Sequence, residues 1–163
     1  MEIIRVHFLD TSALIKLIVK EEGSGPIRDY FKNHSNFYTT AICFAETLGV
    51  LKTKCFYSNV ISEKEYFSAS YLLLAYLRNN SLSIKGDDIW DVNVYQEVEF
   101  LSKQYSLDIS DAFQLCTMKR GIFGKLLGES QPILITADKN LAKAARAEGL
   151  KAWDCLCETL LSE

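Results

Sequence analysis

Short apolar runs that are typical of strands alternate with longer helical runs along this chain. The clearest strand lies at residues 132–136, where an apolar run rich in branched side chains is bounded by Pro132 and Asp138. Such alternation predicts βαβ units, and therefore a parallel sheet covered by helices on both faces. We expect an α/β fold, namely a three-layer α/β/α sandwich with a mainly parallel central sheet.

The same pattern predicts where the strands and helices lie. Strands are expected at residues 3–9, 37–40, 132–136 and 150–153. Helices are expected at residues 13–18, 27–32, 41–54, 63–78, 92–105, 110–119 and 139–148. Thr11 and Ser110 are expected to cap the first and the sixth of these helices.

Length and composition indicate one compact domain. The chain has 163 residues, of which 48% are hydrophobic and 24% charged, so we expect residues 1–163 to form a single domain. The first apolar run is too short, and too soon interrupted by charge, for a signal peptide or a membrane span. We therefore expect a cytoplasmic protein with no membrane partner.

Charge and cysteine spacing limit the kinds of ligand. The five cysteines lack the spacing of a zinc site, and we expect them to be reduced thiols. The net charge is −3, which provides no overall basic surface for nucleic acid. Any nucleic-acid binding would therefore need a local basic rim.

Four carboxylates stand where strands end or where helices begin: Asp10, Glu46, Asp111 and Asp138. Because the carboxyl ends of parallel strands converge on one crevice, these side chains can meet there although they are far apart in sequence. Carboxylates in one pocket repel each other, and either a proton or a hard cation relieves the repulsion. Oxygen ligands suit Mg²⁺ or Mn²⁺, so a metal site is the leading hypothesis.

Each acid also has a simpler explanation. Asp10 could begin a turn, and Asp138 could cap the helix that follows it. Asp111 lies in a first helical turn, where the helix dipole favours an anion, so a structural role is about as plausible as a functional one. Asp108 stands three residues earlier and competes with Asp111 for the third ligand position.

Glu46 has the more informative neighbours. The residues four positions away on its helix are Ile42 and Val50, so the carboxylate has no polar neighbour on its own face. An unpaired carboxylate on such a face is costly to bury. We therefore expect Glu46 to point into a pocket.

These motifs, in this order, resemble those of the PIN-domain ribonucleases, and in particular the toxins of VapBC-type toxin–antitoxin pairs. The opening motif is Asp10-Thr11-Ser12-Ala13-Leu14, the helical glutamate is Glu46, and the third and fourth acids lie in Ser110-Asp111-Ala112 and Thr136-Ala137-Asp138. The resemblance covers nearly the whole chain. It implies a PIN-like fold and an endoribonuclease dependent on Mg²⁺ or Mn²⁺. It also implies an RNA substrate, frequent dimerisation and a cognate antitoxin protein.

Phosphodiester hydrolysis is compatible with these residues. It requires an activated water and relief of the charge that develops on the phosphoryl oxygens. Ions held by the four carboxylates would supply both, so no histidine or serine nucleophile is needed. Ser12, Thr136 and Asp108 are candidates to orient the ligands. The sequence does not decide between one ion and two.

The connection at residues 120–131 is longer than expected and contains three glycines. Together with Lys119, Arg120 and Lys125 it could supply part of a basic rim for RNA, although a tolerated surface insertion is the favoured explanation. A second acidic stretch, at residues 86–91, lacks the spacing of a calcium loop, and we expect an exposed connection there.

Two further function classes compete with the nuclease. A non-catalytic PIN-like module could bind RNA or a protein, but binding alone does not require intact acids. A phosphatase-type α/β hydrolase could use Asp10 as its nucleophile. However, the residue two positions after Asp10 is Ser12 rather than a second aspartate, and no glycine-rich phosphate loop is present.

Overall fold

The computed structural model describes residues 4–85 and 91–159. In chain order, its elements are β1 (His7–Leu9), α1 (Thr11–Ile18), α2 (Ser24–Asn33), β2 (Phe37–Thr40), α3 (Ala41–Lys52), α4 (Glu63–Arg78), β3 (Leu82–Lys85), α5 (Val92–Tyr105), α6 (Ile109–Lys119), β4 (Ile133–Thr136), α7 (Lys139–Ala147) and β5 (Lys151–Asp154). A π-helical turn, Thr53–Tyr57, continues α3, and the turns Phe123–Lys125 and Gly128–Ser130 lie between α6 and β4.

The five strands form one parallel sheet in the order β3-β2-β1-β4-β5. The first strand is central, with His7 opposite Phe37 of β2 and Leu9 opposite Ile135 of β4. The strands β2 and β3 are therefore added on one side of β1, and β4 and β5 on the other side. In a sheet of this kind, the crevice at the carboxyl end of the central strands is the usual place for a functional site.

Alternate side chains of the strands enter two separate cores. Leu9 and Ile135 pack with the helices α1–α4 on one face, whereas Phe8 and Leu134 pack with α5–α7 on the other. Both cores are closed, since all four of these side chains are completely buried. Two helical layers on one sheet make the predicted α/β/α sandwich, and that prediction is confirmed.

The strand β3 was not predicted from the sequence. It pairs with β2 at the edge of the sheet, where Leu82 lies opposite Phe37. Leu82 is buried, but Ile84, which follows on the same strand, is 40% exposed. A four-residue edge strand with one buried apolar side chain carries too weak an alternation to be distinguished from a loop.

Two predicted helix caps are wrong, because an aspartate one or two residues earlier takes the position. Asp10, not Thr11, caps α1, and its Oδ1 accepts from the backbone N–H of Ala13 at 2.8 Å. Asp108, not Ser110, caps α6, which begins at residue 109. A carboxylate satisfies the unpaired N–H groups of the first turn and also complements the helix dipole.

The first strand is also shorter than predicted and begins at His7. Residue 3, where the strand was expected to begin, and most of the acidic stretch at residues 86–91 lie outside the described residues. Within the described parts of the chain, no helix combines the length and the apolar character needed to cross a membrane.

Candidate functional site

An open cleft of about 330 Å³ lies at the carboxyl edge of the sheet, between α1 and α3. The strands β1 and β4 end beside it, so the residues that follow them, Asp10 and Asp138, reach the same cleft. Its lining comprises Asp10, Thr11, Ser12, Ile15, Lys16, Glu21, Glu46, Val50, Lys54, Asp108, Asp111 and Asp138. The four acids singled out in the sequence therefore lie together, and Asp108 accompanies them.

Asp10 is the deepest of these acids and is only 2% exposed. Its Oδ2 accepts a hydrogen bond from Thr136 Oγ1 at 2.6 Å, and its Oδ1 accepts one from the Ala13 N–H at 2.8 Å. Burial raises the pKa of Asp10 to about 6, although these hydrogen bonds oppose the increase and the nearby charge of Asp138 adds to it. The Asp10 carboxylate therefore favours the binding of a proton or a cation.

The hydroxyls of Ser12 and Thr136 connect Asp10 to the segment after β4. Ser12 Oγ donates to the Asp10 carboxylate, 2.8 Å from Oδ1, and accepts from the Ala137 N–H at 2.8 Å. Thr136 Oγ1 donates to Asp10 and accepts from the Asp138 N–H at 2.9 Å. Each hydroxyl uses its proton on Asp10, so the two segments are fixed relative to each other.

Glu46 reaches the cleft from α3, as expected, but it is exposed because the cleft is open to solvent. Its Oε2 accepts from Thr11 Oγ1 at 2.8 Å and from Ser110 Oγ at 2.6 Å. These two bonds join α1, α3 and α6 across the mouth of the cleft. Among the described residues, Oε1 has no hydrogen-bond partner.

Asp108 and Asp111 both lie at the start of α6, but their carboxylates differ in their hydrogen-bond partners. Asp108 Oδ1 accepts from the Asp111 N–H at 2.8 Å and from Ser110 Oγ at 2.9 Å. The Asp111 carboxylate has no hydrogen bond or ion pair with any described residue. Its partial burial, followed by the charges of Asp10, Asp108, Asp138 and Glu46, raises its pKa to about 8. Asp111 is thus a half-buried acid with no counter-ion among the described residues.

Asp138 caps α7, as the simpler explanation of this acid predicted. Its Oδ1 accepts from the N–H groups of Asn140 at 2.7 Å and Leu141 at 3.1 Å. The side chain is exposed, yet its charge contributes to the raised pKa values of both Asp10 and Asp111. Capping fixes the position of this carboxylate at the cleft and leaves Oδ2 without a partner among the described residues.

The donor set fits a hard divalent cation, because it consists of carboxylate and hydroxyl oxygens that already repel one another. Within residues 4–85 and 91–159, no three histidine, cysteine, aspartate or glutamate side chains stand close enough to enclose an ion as they are placed. Mg²⁺ does not require such enclosure, since it usually keeps several waters and binds through one or two carboxylates. Asp10 and Asp111 are the pair with the strongest electrostatic tendency to bind one.

Two lysines at the other end of the cleft were missed in the sequence. Lys16 Nζ and Lys54 Nζ each lie 2.9 Å from a different oxygen of Glu21. The only sequence signal was the spacing of Glu46, Val50 and Lys54, which places three residues four apart on one helical face. Nothing in the sequence indicated that Glu21 would join both lysines.

The three basic residues proposed from the sequence as an RNA rim do not line this cleft. Lys119 is the last residue of α6, eight positions after Asp111 and so about 12 Å along the helix. It forms ion pairs with Glu97 and Glu148, and Arg120 forms one with Glu97. Lys125 is exposed in the following turn.

Comparison with known proteins identifies relatives of this fold. The family model of the PIN domain matches residues 7–147. The crystal structure of PAE2754 from Pyrobaculum aerophilum is similar, with 16% identity and a TM-score of 0.56 over 86% of this chain and 84% of that one. The crystal structure of FitAcB from Neisseria gonorrhoeae gives 13% identity and a TM-score of 0.58 over 94% and 100%.

At these identities the two structures show a shared fold. No curated protein matches the chain in sequence. The family match spans most of the chain and includes all four acids, Asp10, Glu46, Asp111 and Asp138. The chain therefore belongs to the PIN-domain family.

Proposed function

We propose that this protein is a metal-dependent endoribonuclease that hydrolyses RNA phosphodiester bonds. The observation that carries the proposal is that Asp10, Glu46, Asp108, Asp111 and Asp138 line one cleft. Among them the half-buried Asp111 carboxylate has no hydrogen-bond or ion-pair partner in the described residues, and its pKa is raised to about 8. Keeping such a group charged near neutral pH requires a cation. A PIN-domain chain with an oxygen-lined cleft supports Mg²⁺ or Mn²⁺ as that cation.

Four side chains would hold the ion or ions: Asp10, Glu46, Asp111 and Asp138. When bound, the metal would supply an activated water and would neutralise charge on the phosphodiester. Thr136 and Ser12 hold the Asp10 carboxylate in one orientation through their hydroxyls. We assign the third ligand position to Asp111 rather than Asp108, because the Asp111 carboxylate has no hydrogen-bond partner among the described residues and its raised pKa reflects the charges of the other acids.

We further propose that the chain is the toxin of a toxin–antitoxin pair, neutralised by a cognate antitoxin and active as a homodimer in the cytoplasm. The ordered motifs around Asp10, Glu46, Asp111 and Asp138 support the toxin class. Free thiols are typical of a reducing compartment, and Cys43, Cys55 and Cys155 are buried thiols that form no disulfide within the described residues.

Cleavage of single-stranded RNA tests the nuclease proposal. We expect the wild-type protein to cut an RNA panel in Mn²⁺ or Mg²⁺ and not in EDTA. Asp10→Asn is expected to remove cutting, because it keeps the shape of the side chain and removes its charge. Asp29→Asn is the matched control, since it makes the same change at an exposed position of α2 outside the cleft. Cutting that persists in EDTA or in Asp10→Asn would contradict the proposal.

Growth of a bacterial host tests the toxin proposal. Induced expression of the wild-type chain should arrest growth, and expression of Asp10→Asn at the same level should not. Co-expression of the small open reading frame beside the gene should restore growth if that frame encodes the antitoxin. Normal growth with an active, soluble wild-type nuclease would contradict the toxin assignment and leave a nuclease of another role.

A further inference from the structure

The end of the cleft farthest from the carboxylates holds three paired charges. Glu21 Oε1 accepts from Lys16 Nζ and Glu21 Oε2 accepts from Lys54 Nζ, both at 2.9 Å. The side chains of Glu21 and Lys54 are each 25% exposed, whereas that of Lys16 is only 10% exposed. One carboxylate therefore uses both of its oxygens to connect two ammonium groups at the solvent-facing side of the cleft.

The two lysines are held to different degrees. Lys16 also donates to the backbone oxygen of Glu22 at 2.8 Å, and its aliphatic stem passes so close to Gly23 that a Cβ there would lie 3.3 Å from Lys16 Cδ. Among the described residues, the Lys54 ammonium hydrogen-bonds only with Glu21. Lys16 is thus fixed in place, while Lys54 depends on whichever anion lies between the two lysines.

The Glu21 backbone is fixed, so only its side chain needs to move. Ser24 Oγ accepts from the Glu21 N–H at 3.0 Å, and the Glu21 carbonyl accepts from the Ser24 N–H at 3.1 Å. Although partial burial alone would raise the pKa of Glu21, the hydrogen bonds and charges of Lys16 and Lys54 lower it below its ordinary value. Glu21 is therefore an anion that can leave the lysines by side-chain rotation without disturbing the loop.

One carboxylate and one lysine of the cleft, Glu46 and Lys54, lie on α3 and on the π-helical turn that continues it. Glu46, Val50 and Lys54 follow each other at intervals of four residues and all line the cleft. Eight residues correspond to about 12 Å along the helix axis. A polyanion lying in the cleft would thus meet the carboxylate site and the lysine pair with different groups along its length.

We propose that Lys16 and Lys54 bind a backbone phosphate of the RNA other than the one that is cut, and that Glu21 occupies this phosphate position in the free protein. The inference rests on the proposed ribonuclease function. A phosphodiester presents one negative charge and two unesterified oxygens, which are also the features that Glu21 presents to the two lysines. RNA binding would displace the Glu21 side chain, so Glu21 acts as an internal competitor.

The proposal predicts opposite effects on RNA affinity for substitutions of Lys54 and of Glu21. Lys54→Gln should weaken RNA binding by about two- to fivefold and reduce the slope of log affinity against log salt by about 0.7, the value for one lost phosphate contact. Lys54→Arg should preserve binding. Glu21→Gln should strengthen binding by about two- to fivefold, because it removes the competitor. A purely structural ion triad would give no such strengthening.

The experiment measures binding rather than cleavage, by fluorescence anisotropy with a labelled single-stranded RNA of mixed sequence in EDTA. Glu22→Gln is the matched control for Glu21→Gln, since it removes the same charge from the next, exposed residue. Lys103→Gln is the control for Lys54→Gln, because Lys103 is likewise paired with a glutamate, Glu99, but lies outside the cleft. Thermal unfolding of each variant identifies any that do not fold.

A double variant separates displacement from a general change of charge. If Glu21 competes for the lysine pair, Glu21→Gln should strengthen binding less in the Lys54→Gln background than in the wild type, because only Lys16 remains for Glu21 to occupy. Equal strengthening by Glu21→Gln and Glu22→Gln, or additive effects in the double variant, would overturn the inference, as would wild-type protein that does not bind RNA. RNA that binds as expected but is not cut when Mn²⁺ is added would contradict the nuclease and leave the phosphate site standing.

Discussion

Thr136 Oγ1 donates a hydrogen bond to Asp10 Oδ2 at 2.6 Å, joining two residues that are 126 positions apart in the sequence. Both side chains are buried, and they follow or end the two adjacent strands β1 and β4. The bond favours the charged form of Asp10, because a hydroxyl donates to a carboxylate and only weakly to its protonated form. The pairing of β1 with β4 thus influences the ionisation of Asp10 in the cleft.

Removing this bond should make Asp10 harder to ionise. In Thr136→Val, we expect the pKa of Asp10 to rise above its present value of about 6 and the acidic limb of the pH–rate profile to move to higher pH. Stability should fall by about 1–2 kcal/mol, because the Thr136 hydroxyl also accepts a hydrogen bond from the Asp138 N–H. Cleavage rates measured across pH test the shift, and urea unfolding tests the stability.

Thr117→Val is the matched control for this change. Thr117 is also buried, but its hydroxyl donates to the Phe113 carbonyl within α6 and not to a carboxylate. It should lose comparable stability without moving the pH profile. An unchanged profile in Thr136→Val would mean that the hydroxyl does not influence the ionisation of Asp10.

The raised pKa of Asp111 predicts a pH dependence of stability in the absence of metal. The folded state holds this proton up to a pH of about 8, whereas the ordinary pKa is 3.8. Between these limits the folded state binds more protons than the unfolded state, so the contribution of Asp111 to stability falls as pH rises. Asp111→Asn should therefore raise Tm in EDTA by at least about 2 °C near the upper limit, with the gain disappearing near the lower one.

Thermal unfolding across this pH range, with EDTA present throughout, checks the prediction. Asp29→Asn serves as the control, since this exposed aspartate of α2 lies outside the cleft. Divalent metal should reduce the advantage of Asp111→Asn, because a cation that binds the folded wild type stabilises it. A Tm that is unchanged or lower in Asp111→Asn at the upper pH limit would contradict the electrostatic state described for this acid.

The lowered pKa of His7, which lies outside the cleft, predicts a loss of stability at acid pH. Its Nδ1 lies 2.9 Å from the Ser35 carbonyl, which can only accept, so Nε2 accepts from the Tyr30 hydroxyl at 2.9 Å. Burial is the main reason that the pKa of His7 is lowered from 6.5 to about 4. The unfolded state therefore binds more protons between these values, and stability falls by up to about 3 kcal/mol as pH decreases through them.

In His7→Gln, we expect lower stability at neutral pH and a smaller further loss on acidification than in the wild type. Because Asp10 and Asp111, whose pKa values are raised, contribute with the opposite sign, the informative quantity is the difference between variant and wild type at each pH. Urea unfolding of His7→Gln and the wild type across this range measures it. Parallel pH curves for His7→Gln and wild type would show that His7 is not the titrating group.

We expect Lys119 to contribute to stability and not to RNA affinity. Its ammonium pairs with Glu97 and Glu148 at the end of α6 away from the carboxylates. We expect Lys119→Gln to lower the free energy of unfolding by about 1 kcal/mol or less and to leave RNA affinity unchanged. Anisotropy measurements beside Lys54→Gln make the comparison. If both variants weaken RNA binding equally, the result would support the basic rim that the sequence suggested at residues 119–125.

The extent of sequence-based prediction differs between parts of the fold. The strand β4 was recognisable because Ile133, Leu134 and Ile135 form an apolar run that is buried on both faces of the sheet. The edge strand β3 was not, since Leu82 is its only buried residue. Caps were misassigned for a related reason, because several polar residues stand next to each helix start and only the backbone geometry decides which of them accepts the first N–H groups.

The carboxylates of the site were predictable, but the ammonium groups beside them were not. The position of Asp10 relative to Asp138 follows from strand order alone, since residues that end adjacent parallel strands share one edge. The pairing of Lys16 with Glu21 and Lys54 depends on how a loop between α1 and α2 returns over the π-helical turn. Long flexible side chains and an irregular loop leave no periodic signal in the sequence.

The metal-concentration dependence of RNA cleavage tests the central claim most directly. We would measure the cleavage rate against Mn²⁺ concentration for the wild type, Glu46→Gln, Asp111→Asn and Asp138→Asn, with Asp29→Asn as the control. If these acids hold the ion, each cleft variant should require more Mn²⁺ to reach half its maximal rate, and the control should match the wild type. Cleavage that saturates at the same Mn²⁺ concentration in every variant would contradict the account.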